Sequence, residues 1–390
     1  MIAFQQNRIT SIDFLKGLVM VVMALDHTRD YFHASAFIYN PSDPLQTTIP
    51  IFLTRFITHF CAPIFSLLAG ISAFMVGKRK PVNELSAFLF KRGLWLVIIE
   101  LTIVNFAWCF DIYFRMNGVA VIWSLGISMI VLAALVRLPA KAILLFSCVV
   151  IFGHNLLDTI HFPGNIWWSL LHEPAVFKPW SNYSFSVDYP IIPWVGVMSL
   201  GYCLGPLFDS TVAAEKRKKI LRNTGIASFM LFLIVRGINN YGDTEPWVKY
   251  DTLTQTLFSF FNPDKYPPSL DYLLLTLGPA FIFLAYAEKI KGTAVNFFTI
   301  FGRVPFFYYI IHLFAIHALA MLTAQLTGFG WRSMVLDLWL TENPALKDYG
   351  FPLIVVYAVW IVVIVSLYPM CKKFDVYKMN NKKKWWLSYL

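Results

Sequence analysis

Long apolar runs separated by short polar punctuation dominate the chain. Bounded by charges, proline or glycine, they cover residues 12–34, 49–77, 93–110, 121–138, 140–160, 189–208, 223–239, 269–287, 304–326 and 351–371. Most approach or exceed the roughly 18–20 residues that a helix rising 1.5 Å per residue needs to cross a hydrocarbon core of about 30 Å. Backbone polar groups in lipid must be satisfied within the segment, so the runs read as helices, and the period-two alternation of a membrane barrel is missing. The pattern predicts an all-α fold, a polytopic bundle of about ten transmembrane helices forming one domain over residues 1–390. The first run is crowded with Asp13, Lys16, Asp26 and His27 and lacks a small-residue cleavage site, so it is expected to stay as a helix and not to be removed as a signal peptide.

Composition agrees. Apolar residues make up 58% and charged residues 14%, against about 25% charged in soluble domains. The net charge of +10 would suit a nucleic-acid binder, but the basic residues sit in short clusters between apolar runs, which excludes that reading. Their distribution instead sets orientation. Twenty-two Lys and Arg fall on one set of loops, including Arg8, Lys78–Lys80, Lys216–Lys219 and Lys382–Lys384, and nine fall on the other. Both termini are therefore expected in the cytoplasm and the protein in the cytoplasmic (inner) membrane. The five cysteines form neither a CxxC pair nor an even disulfide set.

The richest stretch is SIDFLKGLVMVVMALDHTRDYFHASAF, because a charge at bilayer depth is costly unless it is paired or faces a wet cavity. Lys16 and His27 lie eleven residues apart, about 1,100° of rotation, so they share a helix face with roughly 16 Å between them. Asp13 lies one turn before Lys16, and Asp30 one turn after His27, where it can orient the imidazole as a general base. The bland alternative is a solvated ion cluster of Asp26, Arg29 and Asp30. In TRFITHFCAPIFSLLAG, Arg55 and His59 share a face beside a kink at Pro63, and Gly70 suits close helix packing. In FGRVPFFYYIIHLFAIH, Arg303 stands at the inner mouth, able to grip a phosphorylated donor or simply following the positive-inside bias, with His312 deeper. His27, His33, His59, His154, His161 and His172 gather toward the outer face. No histidine pair is four residues apart and no HExxH is present, so no metal is expected. Serine-hydrolase, ATPase and dinucleotide motifs are also missing.

RITSIDFLKGLVMVVMALDH, FLTRFITHFCAPIFSLLAG, YPIIPWVGVMSLGYCLGPL, KYPPSLDYLLLTLGPA and FGRVPFFYYIIH together resemble, in order, the blocks of bacterial membrane proteins grouped with the heparan-α-glucosaminide N-acetyltransferase catalytic domain. The Lys16 to His27 spacing is similar to the basic-residue and histidine motif of the wider membrane acyltransferase superfamily. That resemblance implies a catalytic base at His27 and a donor-path group at Lys16, where Lys replaces the more usual Arg. In the family's sugar acetyltransferases the position matching His27 resembles an Asn, and the catalytic His falls in a stretch similar to YFHASAF, which implies His33 instead.

The expected function is transfer of an acetyl or other acyl group from cytoplasmic acyl-CoA to a glycan, amino sugar or other envelope acceptor outside. His27 or His33 with Asp30 would do the chemistry, and Lys16, Asp13, Arg55, His59, Arg303 and His312 would bind the substrates. The competing expectation is a proton-coupled transporter using the same intramembrane Asp, Lys and His residues.

Overall fold

A computed structural model describes residues 10–388. Arg8, counted above with the basic loops, and the last two residues of the KKKWWLSYL tail lie outside them. Helix α1 (Thr10–Phe32) leads into α2 (Ile49–Thr58) and α3 (Cys61–Gly77). Next, α4 (Val82–Ile99) continues through a π turn (Glu100–Val104) into α5 (Asn105–Cys109) as one rod. There follow α6 (Val121–Leu135), α7 (Ala140–Gly153), the short α8 (Ile166–Leu171) and α9 (Ile191–Leu204). The remainder is α10 (Ala214–Ile238), the short α11 (Leu253–Phe260), α12 (Leu270–Ala287), α13 (Thr293–Arg303), α14 (Pro305–Leu326) and α15 (Leu353–Asn380).

Seven helical stretches among the described residues are long and apolar enough to cross a bilayer: Ile49–Gly77, Ala140–Leu157, Ile191–Phe208, Ala214–Ile238, Leu270–Ala287, Pro305–Leu326 and Leu353–Asn380. The chain is a multi-pass membrane protein. Exposed Ile354, Ile361, Val362 and Val365 on α15, with Leu145 and Val149 on α7, give these helices outer faces that water would not tolerate and lipid accepts. The helices overrun the apolar runs at their basic ends: α4 starts at Val82, α10 at Ala214, and α15 continues to Asn380. Long lysine and arginine stems let a charge at such an end reach the polar boundary, so helix and apolar run need not end together.

The second span is broken where its proline predicts. Pro63 has no N–H to give the carbonyl four residues earlier, which belongs to His59. The regular ladder is interrupted at His59 and Phe60, whose backbone stays right-handed, and the freed His59 carbonyl accepts a 2.6 Å bond from the Tyr272 hydroxyl. Close helix crossings are built on paired glycines. A Cβ at Gly17 would fall 1.8 Å from the Phe298 carbonyl oxygen, and one at Gly302 would fall 1.9 Å from that of Asp13, which brings α1 against α13. Gly70 and Gly201 do the same for α3 and α9, with gaps of 2.0 and 2.1 Å.

The all-α reading needs one addition. Strands β1 (Met116–Val119), β2 (Ala175–Trp180) and β3 (Tyr183–Val187) form a small sheet in the order β1-β3-β2, with β1 parallel and β2 antiparallel to β3. The strands lie outside the apolar runs, and their few alternating positions gave no periodic signal.

Candidate functional site

Two helices supply the centre of the site. On α1, whose buried face runs along most of its length, His27 is partly exposed, and on α14 His312 is fully buried. His27 Nδ1 lies 2.8 Å from His312 Nε2, with the ring planes 10° apart and centroids separated by 5.0 Å, so the two imidazoles meet edge to edge in nearly one plane. His312 Nδ1 lies 2.9 Å from the Tyr308 carbonyl oxygen. A carbonyl can only accept, so His312 carries its proton on Nδ1 and presents a lone pair at Nε2. His27 must then donate through Nδ1, which leaves its own Nε2 as a lone pair. Among the described residues that nitrogen has no hydrogen-bond partner. Trp108, with its ring 4.8 Å from His27 and nearly perpendicular, and Tyr309, at 6.3 Å, wall the imidazole with aromatic surface.

An ion cluster sits beside it. Asp26 receives both carboxylate contacts from Arg55 Nη1, at 2.9 and 2.8 Å, and a third from Arg29 at 2.9 Å. Arg55 comes from α2, the segment that precedes the Pro63 break. Above this cluster, Lys265 lies over the Tyr266 ring at 5.0 Å and the Tyr189 ring at 5.9 Å. Burial alone would raise the Tyr266 hydroxyl, yet the Lys265 and Arg55 cations hold its pKa below the ordinary value. The loop carrying Lys265 is anchored by buried Arg236, which pairs with Asp243 and donates to the carbonyls of Phe260 and Ser259.

A cleft of about 150 Å³ runs between α1, α3, α4, α6 and α14. Lys16 and Arg92 are its basic lining residues, Met20 and Met23 continue along α1, and Tyr309, whose ring stands steeply to both histidine rings, also borders it. The cleft therefore runs from a basic group on α1 to Tyr309, the residue it shares with the surroundings of the imidazole pair.

The expected residues separate into groups. Lys16 lines the cleft, His27 and His312 pair with each other beside Tyr309 at its border, and Arg55 holds Asp26, the neighbour of His27 in sequence. Asp13 is buried at the α1–α13 crossing. The proposed Asp30 to His27 contact is corrected: Asp30 Oδ1 accepts from Arg29 at 2.6 Å, and the partner of His27 is His312. The adjacent guanidinium holds Asp30, while the imidazole finds its partner on another helix, which spacing within α1 could not reveal. His33 caps the 3-10 turn Ala34–Phe37, its Nδ1 taking the Ser35 amide at 3.2 Å and the Ser35 hydroxyl at 2.5 Å. His59 packs 5.7 Å from the Tyr272 ring, and Arg303 pairs at 3.4 Å with Asp375.

A family model for the catalytic part of heparan-α-glucosaminide N-acetyltransferase matches residues 8–237. The chain belongs to this family. Membership makes it a membrane acetyltransferase at the level of class, with acetyl-CoA as the general donor of the family. No curated protein matches the chain. The matched region holds Lys16, His27 and Arg55, while His312, Lys265 and Arg303 lie beyond it.

Sequence reasoning missed several residues here. Glu100 is buried in the π turn and accepts from the Trp123 amide at 3.1 Å, capping the start of α6. A carboxylate inside an apolar run was the available signal, and π turns recur at functional sites. Trp108, Tyr309 and Tyr266 had none, since aromatics fill every span.

Proposed function

We propose that the protein transfers an acetyl group from cytoplasmic acetyl-CoA to an amine or hydroxyl acceptor on the opposite face of the inner membrane, with His27 as general base. In this reading residues 1–390 act as one domain, crossing the bilayer about ten times with both termini inside. The observation that carries the proposal is the chain of contacts from the Tyr308 carbonyl through His312 to His27, which assigns the His27 proton to Nδ1 and leaves Nε2 as an unshared lone pair.

The donor's phosphates would meet Arg303 and the inner basic loops, and its pantetheine arm would follow the cleft past Lys16 and Arg92. As the acceptor nitrogen or oxygen attacks the thioester carbonyl, His27 Nε2 takes its proton. The C–S bond then breaks and the thiolate departs, receiving that proton and returning the imidazole to its neutral state. Arg55 and Lys265, with Tyr266, line the outer approach, where an acceptor rich in hydroxyls would find donors. The family's name points to an α-glucosaminide as the class of that acceptor. His27 is favoured over His33 because the His33 Nδ1 lone pair is already committed to Ser35.

The test is transfer from labelled acetyl-CoA to glucosamine by detergent-purified protein, with His27→Ala and His33→Ala assayed separately. His27→Ala should lose at least about 100-fold in kcat, the low end for a general base, and His33→Ala should stay active. Full activity in His27→Ala removes the base, and proton flux without any transfer would return the transporter reading.

A further inference from the structure

A second histidine cluster lies away from the acetyl-transfer site, at the opposite end of the α7 helix from Ala140. α7 gives way to a 3-10 turn (His154–Leu157), and Asp158 caps that turn. His172 ends α8, and folds back so that its Nε2 lies 2.8 Å from Asp158 Oδ1. One ligand atom each from His154, Asp158 and His172 can be chosen so that all lie within 4.8 Å of one another. Both histidines are buried, each only 2% exposed.

The polar inventory of this pocket does not close by itself. Neither ring nitrogen of His154 has a hydrogen-bond partner, nor does Nδ1 of His172. Buried imidazole nitrogens left this way are rare in native proteins and point to an occupant. Asp158 is held for it. Asn155 Nδ2 donates to Asp158 Oδ2 at 2.7 Å, leaving Oδ1 toward the histidines, and Asn155 Oδ1 accepts from the Leu270 amide at 3.0 Å. That is the arrangement by which outer groups orient a metal-binding carboxylate.

We propose that His154, Asp158 and His172 bind one transition-metal dication, with Zn²⁺ the best match, and that the ion ties the end of α8 to the turn that follows α7. Two imidazoles and one carboxylate suit zinc and its neighbours, and disfavour magnesium and calcium, which take oxygen ligands. Zn–N and Zn–O bonds of about 2.0–2.1 Å in a tetrahedron separate ligand atoms by roughly 3.3 Å. The His172–Asp158 pair therefore opens slightly as the proton between them gives way to the ion, and His154 closes in. Water completes the fourth position. Histidine spacing within one helix does not reveal this set, because the residue four after His154 is an aspartate and the second histidine arrives from another helix.

The experiment uses tag-free, full-length protein in detergent, stripped with a chelator and titrated with Zn²⁺ against a chromophoric competitor. One equivalent should bind and raise Tm saturably, and Co²⁺ in its place should give the visible absorption of a tetrahedral nitrogen–oxygen site. Asn155→Ala should weaken binding by about 10- to 100-fold, and His172→Ala should abolish it. Failure of the wild-type protein to take up either ion overturns the proposal whatever the variants do. So does undiminished uptake by folded His172→Ala protein.

Discussion

Replacing His312 with phenylalanine would keep the bulk of the ring and remove the acceptor that fixes the His27 tautomer. A buried hydrogen bond of this kind contributes about 0.5–1.5 kcal/mol net. Since 1.36 kcal/mol is tenfold in rate, loss of the tautomer bias alone should lower kcat about 2- to 12-fold. The edge-to-edge contact at 2.8 Å also holds the ring in its plane, so a total loss of about 10- to 100-fold is expected, with KM for acetyl-CoA little changed. The decisive assay is a double-mutant cycle with His27→Ala. If His312 acts through His27, the double variant should be no slower than His27→Ala alone, because the base it positions is already gone. Multiplying effects in the double variant, or full activity in His312→Phe, would refute the relay.

Other outcomes follow from the same geometry. Lys16→Met should raise KM for acetyl-CoA more than it lowers kcat, as measured by steady-state kinetics. Arg55→Ala leaves the Asp26 carboxylate with Arg29 alone, so the loss is that of a buried acceptor's partner, about 1–3 kcal/mol, visible as a fall in Tm. Tyr272→Phe strands the His59 carbonyl freed by Pro63, a cost of about 1–3 kcal/mol, seen by the same thermal measurement. Burial pushes the Asp243 carboxyl up to about 7 against the pull of Arg236, and Asp264 up to about 6. Both lie above the unfolded value of about 3.9, so the folded state holds extra protons between pH of about 4 and 7. Stability should fall as pH rises through that window and level off above it, and Asp243→Asn should flatten part of the slope.

The helices were legible because lipid leaves the backbone few choices, and because glycine and proline announce their effects locally. Gly70 packs as its size predicts, and Pro63 breaks the second span where its missing N–H requires. The site was legible only along α1. Lys16 and His27 could be placed on one face by arithmetic, but the partner of His27 comes from α14, and nothing in α1 distinguishes His312 from Asp30 as that partner. The small sheet escaped because strand β1 pairs with β3 across a long interval of sequence, a choice made by tertiary contact.

One consequence of α1 being a single unbroken helix concerns movement. Its basic residue and its imidazole are marks on the same rigid rod, so no hinge or rocking motion can change the length between them. Any opening to either side has to come from the elements around the rod, and a donor arm must fit that fixed span, which makes the helix a gauge for the cargo it serves.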